Sequence, residues 1–398
     1  MADKKQLNIL YTNIGRGHPF YLDGLCDEIK HNHSDKININ IVNVFELSSG
    51  MALMLWKLVR FMYHRGSQGG LFGKLYKAIR KNKTTDSYGL VEKILARGIR
   101  SFIKKNRYPT LVAHPMLIPM ILDLTEVYYQ HGELVVPDIV VVDKRPDTKI
   151  FVPSDDAKNK FSQKGVNANS IITTGLSVEK KLKDNAEKYY EQRIERLKSN
   201  KILTGAFFSS GAEPIGHLNK IVRMLLSLQK SGQRGIVFCR AAGRLEKEVS
   251  LQIGAKVIDP SDHKEKIISY FKNRNILMVR YNDRDEENSF INILFKYFDY
   301  FVSPSHERTN WAIGLGIPMF ILYPLIGPFS PINRNILLNY EVAKEILDDK
   351  TADDFGENIG QLVADGNLVS MAENGFGNFP LNGFSQICKY LERQLSDV

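Results

Sequence analysis

Short apolar runs recur along this chain, each passing through a polar turn into a stretch with helical spacing. That alternation constrains the fold more than any other feature. In the first half the runs at 7–11 (LNILY), 37–44, 110–113, 139–142, 150–152 and 171–174 read as strands. From 110 onward their apolar residues are consecutive rather than alternating, the pattern of strands buried on both faces of a parallel sheet. Helical spacing fills the gaps, from about 20 to 31 and in a long stretch after 50. The theme then repeats, with strands predicted at 202–208, 235–239, 256–258, 276–280, 300–302 and 319–322. Helices are predicted at 215–229, 289–298, 308–315, 332–340 and 384–395. Two successive βα arrays predict an α/β chain with two Rossmann-like domains facing each other across a cleft. A length of 398 residues, too great for one ordinary core, agrees. The very polar stretch 179–200 follows Gly175-Leu176-Ser177, so the first domain is expected to cover 1–177 and the second 178–383. The last helix, 384–398, is expected to pack back on the first domain.

Composition narrows the functional classes. Cys26, Cys239 and Cys388 are odd in number, far apart and in no ligand spacing, which argues against a disulfide framework or a zinc site. The first residues lead straight into a strand without the apolar core of a signal peptide, and no apolar run is long enough to cross a bilayer. A cytoplasmic protein is expected. Of the net charge of +10, nearly all lies in the first half, and Lys57 to Arg107 holds 14 basic residues against two acidic ones. Aromatics such as Trp56, Phe61, Phe72 and Tyr76 are interleaved with them. Such a segment suits an anionic membrane surface, with nucleic acid the weaker alternative and a solvated helical face the plain one. Residues 51–107 are therefore the candidate membrane-associating region.

In parallel sheets of this type ligands sit beyond the carboxyl ends of the strands. Three strand-to-helix loops there carry chemistry: Gly15-Arg16-Gly17-His18-Pro19, Ser209-Ser210-Gly211-Ala212, and Ser303-Pro304-Ser305-His306-Glu307-Arg308-Thr309-Asn310. A Gly/Ser turn feeding a helix offers backbone N–H groups and the positive end of the helix dipole to a phosphate. The first loop lacks the later glycine of the dinucleotide fingerprint and none carries a P-loop lysine, which disfavours hydride transfer and P-loop chemistry. Asp283-Arg284-Asp285 is a charge cluster without an accompanying ligand pattern, so no metal site is assigned.

Gly15-Arg16-Gly17-His18, the later His114-Pro115, the stretch IFVPSDDAKNKFSQKGVNANSIITTGLSV, Ser209 to Ala212 and GLGIPMFILYP together resemble a known group. They are similar to the monogalactosyldiacylglycerol synthase and processive diacylglycerol glucosyltransferase family, related to the lipid-linked N-acetylglucosaminyltransferase of peptidoglycan synthesis. The resemblance implies a GT-B fold and inverting, metal-independent transfer from a nucleotide sugar, usually a UDP-sugar, to a lipid hydroxyl. No cofactor beyond that co-substrate is implied.

Such a reaction needs a base for the incoming hydroxyl and stabilisation of the departing diphosphate. His18 is the leading base or contact to the transferred group, with Asp143, at the end of DIVVVD, as the alternative. His114 and Trp56 are acceptor-side candidates. Gly17, Ser209, Ser210, Gly211, Ser305, His306, Glu307, Arg308, Thr309 and Asn310 are expected around the nucleotide sugar, with Asn333 and Asn335 on the following helix. Two departures stand out: the loop after Asp143 is shortened, and Trp311 occupies the position of the family's ribose-binding glutamate. A binding protein of the same fold without turnover, and a nucleotide-sugar epimerase, are the competing readings.

Overall fold

The structure, a computed structural model, describes residues 4–12, 14, 17–67, 88–142, 148–199, 202–259, 262, 269–270 and 275–395. The chain forms two compact units, one of residues 1–180 and 379–398, the other of residues 181–378.

The first unit holds six strands, β1 (Lys5–Tyr11), β2 (Ile37–Asn43), β3 (Thr110–Val112), β4 (Val127–Gln130), β5 (Thr148–Val152) and β6 (Ile171–Thr173). They pair in parallel in the order β2-β1-β3-β4-β5-β6. The chain runs outward from β1 to β2 and then returns to the other side of β1, so β1 and β3 flank the topological switch point. Here the structure corrects one strand. Residues 139–142 were expected to pair, but they follow Pro137 as irregular, buried chain, with Val140 and Val142 in the core. The sheet position goes instead to Val127–Gln130, whose Tyr128 and Tyr129 are fully buried. Aromatic residues supply the two-sided burial expected of the Ile-Val-Val-Val run.

Leu7, Ile9, Leu111, Tyr128 and Phe151 on the sheet pack against Leu22, Leu25 and Ile29 of helix Gly17–Asn32. Ile387, Cys388 and Leu391 of helix Gly383–Gln394 complete that core. The two helices touch closely, since a Cβ at Gly24 would coincide with the Phe384 ring. Where the chain leaves and re-enters this unit, Leu176 N–H donates to Pro380 O at 2.7 Å and Gly383 N–H to Leu176 O at 3.0 Å.

The second unit holds β7 (Thr204–Phe208), β8 (Arg234–Arg240), β9 (Lys256–Ile258), β10 (Ile276–Tyr281), β11 (Tyr300–Ser303), β12 (Met319–Leu322) and β13 (Ala343–Ile346). All pair in parallel in the order β13-β12-β11-β7-β8-β10-β9, placing the switch point between β7 and β11. Helix Ile215–Ser231 lays Leu218, Ile221, Val222, Leu225 and Leu228 on the sheet at helical spacing and ends on Gly232, whose φ of 73° gives the left-handed C-terminal turn. Cys26, Cys239 and Cys388 are free and buried.

Candidate functional site

In the first unit, β1 and β3 are adjacent, with Ile9 opposite Leu111 and Leu10 opposite Val112. The loops at their carboxyl ends therefore emerge side by side. Helix Gly17–Asn32 starts at Gly17, so His18 sits in its first turn, partly exposed. His114 follows β3 and caps the short turn Pro115–Leu117. The two imidazole centroids lie 4.5 Å apart with planes at 52°. Met116 N–H donates to His114 Nδ1 at 3.2 Å, which makes Nδ1 the acceptor and leaves the proton of the neutral ring on Nε2.

A third histidine, which sequence reasoning missed, joins them from the end of β4. His131 is buried, with Nδ1 3.0 Å from the Tyr129 hydroxyl and Nε2 2.9 Å from Val135 O. Only one tautomer satisfies both contacts: the phenol donates to Nδ1 and Nε2–H donates to the carbonyl. Burial is the main cause that lowers its pKa to about 4, the bond to Val135 opposes the shift, and nearby His18 adds to it. The imidazole stays neutral. Behind it Gly132 makes room for the Tyr21 ring of helix Gly17–Asn32, which seats the His18 helix against the β4 end. The signal for His131 was the run VYYQH, hidden once the strand had been assigned to 139–142 instead.

Asp143, Gly15 and Arg16 lie outside the described residues. Trp56, expected on the acceptor side, is a core residue: it is 0% exposed and its Nε1–H donates to Leu95 O at 3.2 Å. Helix Gly50–Ser67 buries Ala52 and Trp56 and turns its other face outward, leaving Met51, Met54, Leu58 and Phe61 exposed by 59%, 63%, 48% and 50%. Their spacing makes one stripe. Lys57, Arg60 and Arg65 are exposed on the same helix, Arg65 lying over the Phe61 ring. Nearby, Lys93, Arg97, Arg100 and Lys104 line an open groove of about 720 Å³, with Arg100 held in two bonds by Asp123. Residues 68–87 of the basic segment, with Phe72 and Tyr76, lie outside the described residues. Among those described, no helix is long and apolar enough to cross a membrane.

In the second unit the switch-point strands β7 and β11 carry the other two loops. Ser209 and Ser210 follow β7; their hydroxyl oxygens are buried and have no hydrogen-bond partner among the described residues. Gly211 is exposed, and a Cβ built there meets nothing within 4 Å. Two buried hydroxyls thus lie next in sequence to an exposed glycine on the N-terminal side of helix Ile215–Ser231.

The loop after β11 is committed internally to a degree that the sequence did not reveal. Ser305 is fully buried and hydrogen-bonds to Ser330 O at 2.9 Å and Ser330 Oγ at 2.7 Å, while Asn333 Nδ2 donates to Ser305 O at 3.1 Å. Arg308 stacks on Phe208 at 3.9 Å and donates to buried Glu287 at 2.8 Å, with Glu307 at 3.5 Å. Thr309 and Asn310 are each 1% exposed. The side chains of Ser305, Arg308 and Asn333, expected at the nucleotide sugar, instead fasten the loop to the core. Trp311 packs its ring within 5.2 to 5.8 Å of Phe295, Phe301 and Phe208, so its position offers the core an aromatic side chain. Asn335 is exposed and accepts from Arg334 Nη1 at 2.9 Å.

His306 remains partly exposed; burial lowers its pKa, Glu307 raises it and Arg308 lowers it. Near it, buried His217 donates from Nε2–H to Pro324 O at 2.9 Å while Nδ1 has no partner among the described residues, and burial lowers its pKa to about 4. Asp283 caps helix Arg284–Leu294 by accepting Glu286 N–H at 3.0 Å. Among the described residues no three His, Cys, Asp or Glu side chains are grouped to hold a metal ion.

No family model and no curated protein sequence matches the chain. Solved structures share its architecture from end to end. The UDP-GlcNAc 2-epimerase of Neisseria meningitidis, bound to UDP-GlcNAc, matches 98% of this chain with 100% of its own at 13% identity and a TM-score of 0.57. A co-structure of Staphylococcus aureus MnaA with UDP matches 99% with 98% of its own at 10% identity and a TM-score of 0.58. UGT2 of Phytolacca americana, complexed with UDP-2-fluoro-glucose and pterostilbene, matches 98% with 99% of its own at 13% identity and a TM-score of 0.54. The fold is GT-B, with two Rossmann-like domains.

Proposed function

We propose that the chain is a glycosyltransferase that moves a sugar from a nucleotide diphosphate sugar, of the UDP-linked class, to an acceptor hydroxyl. The observation that carries this reading is the pair of buried hydroxyls on Ser209 and Ser210, without a hydrogen-bond partner among the described residues, beside the exposed Gly211. They stand at the switch point, at the entrance to a 17-residue helix, where oxygen-rich anions are favoured. Together with the helix N-terminus they would meet the charge that grows on the diphosphate as the anomeric C–O bond breaks. Main-chain and hydroxyl donors do this without a cofactor. The first domain would supply the base: His18 takes the acceptor proton while the acceptor oxygen forms the new bond to the anomeric carbon and the nucleoside diphosphate leaves with the bonding electrons. His114, whose tautomer directs Nε2–H outward from the Met116 contact, is the acceptor-side partner.

The resemblance to glycolipid synthases favours a membrane-borne acceptor, and the exposed stripe Met51, Met54, Leu58 and Phe61 with its flanking cations supports peripheral attachment to an anionic surface. Incubation with UDP-sugars, with and without diacylglycerol-containing vesicles, tests the proposal. Sugar appearing on the acceptor with release of UDP is the expected result. Isomerised UDP-sugar without acceptor would make the chain an epimerase, and tight binding without turnover would make it a binding protein.

A further inference from the structure

We propose that Glu213 and Arg244 form a positioning clasp that sets the ligand-facing geometry of Ser209 and Ser210; this rests on the reading of their loop as a nucleotide-diphosphate site. The loop after β7 and the loop after β8 leave neighbouring strands, and the clasp ties one to the other. Glu213 and Ala242 have φ of 45° and 57°, a left-handed region that side-chain-bearing residues adopt only when their surroundings hold them there. Both are held. Glu213 N–H donates to Ser210 O at 2.9 Å, and its carboxylate accepts Arg244 N–H at 2.7 Å. The latter bond caps helix Arg244–Gln252 from outside, since its own N-cap is Gly243, which has no side chain to do so. In return Arg244 Nη2 donates to Ala212 O at 3.0 Å and to Glu213 O. Gly243 is required at the crossing: a Cβ there would lie 2.7 Å from Arg240 O and 2.8 Å from Glu213 Oε1.

The circuit runs from Ser210 through Glu213 and Arg244 back to Ala212, and it uses the polar groups of the turn while leaving the two serine hydroxyls unspent. Neither Glu213 nor Arg244 is assigned a contact to ligand. Their contribution is to order the turn in advance, so that a diphosphate meets donors already in place.

The test compares UDP with uridine, which lacks the diphosphate, by calorimetry on the full chain and on Arg244→Met, Arg244→Lys and Glu213→Gln. UDP affinity should fall by about tenfold or more in Arg244→Met, with uridine affinity changed less than about twofold. Arg244→Lys, which keeps a cationic donor for a carbonyl but loses the planar guanidinium, should fall between. Amide exchange over 209–213 in the ligand-free protein should accelerate in Arg244→Met and Glu213→Gln. Unchanged UDP affinity with unchanged exchange, or equal losses for UDP and uridine, overturns the clasp alone. An unaltered chain that binds no UDP overturns the diphosphate reading, and the clasp's role with it.

Discussion

His18 and His114 bring their imidazole rings to 4.5 Å although one opens the first helix and the other follows the third strand of the same sheet. The juxtaposition follows from topology: β1 and β3 are neighbours because the chain crosses over β1 after β2. If His18 is the base, His18→Ala should lower kcat for sugar transfer by roughly 10²- to 10⁴-fold while leaving the affinity for UDP unchanged. Initial rates and nucleotide titrations on the same preparation check this. Equal losses in both would mean that His18 serves the fold of the domain instead.

Two buried imidazoles make the fold acid-sensitive. His131 and His217 both have pKa lowered to about 4 by burial, against an ordinary value of 6.5. Between those values the unfolded chain binds protons that the folded chain refuses, so stability falls as pH is lowered from about 6.5 towards 4. Each histidine contributes on the order of 3 kcal/mol across the full window. The thermal midpoint should therefore drop steeply over this range, and His217→Gln, which keeps a donor for Pro324 O, should flatten part of the slope. An unchanged slope in that variant would count against the assignment.

The buried pair of Arg308 and Glu287 should be costly to split. The two side chains are 4% and 1% exposed and bonded at 2.8 Å, with the guanidinium stacked on Phe208. Glu287→Gln leaves the Arg308 cation under-compensated in the core, a change worth about 3 to 5 kcal/mol. Thermal unfolding should show a fall on the order of 10 °C in the second domain's transition. A shift of about 1 °C would show that Glu307 alone, at 3.5 Å, suffices.

Membrane attachment through helix Gly50–Ser67 predicts a sharp effect of placing acidic residues on its outer stripe. Burying Met54 and Leu58 in a lipid interface is worth roughly 1.5 to 3 kcal/mol each. Met54→Asp with Leu58→Asp should accordingly lower sedimentation with anionic vesicles by a factor of about 100 or more. Because Ala52 and Trp56 face inward, the fold should be unaffected. Binding of the unaltered chain should also weaken as salt is raised, owing to Lys57, Arg60 and Arg65. Equal binding of the variant and unaltered chains would remove the helix from the interface.

Much of the architecture is legible in the sequence. Unbroken runs such as IFV at 150–152 and MFIL at 319–322, with the two βα arrays, mark parallel sheets buried on both faces, because burial on both sides demands consecutive apolar residues and leaves a local signature. The same locality made 139–142 look like a strand, since four apolar residues in a row satisfy the pattern whether they pair or pack as irregular chain. Sheet membership went to Val127–Gln130 because pairing depends on which segment reaches the neighbouring edges of β3 and β5, a property of distant chain.

The sites divide along the same line. A Gly/Ser turn before a helix marks Ser209 to Gly211 from residues next to one another, whereas the use of each polar atom is decided by partners far away in the chain. Ser305 is spent on Ser330, Arg308 on Glu287, and Trp56 on Leu95, and His131 enters beside His18 from a strand that sequence periodicity overlooked. Sequence alone determined the alternation of strands and helices and the loops in which ligand chemistry belongs. Tertiary structure decided which of those side chains remain available, because hydrogen bonds and ion pairs are satisfied through space.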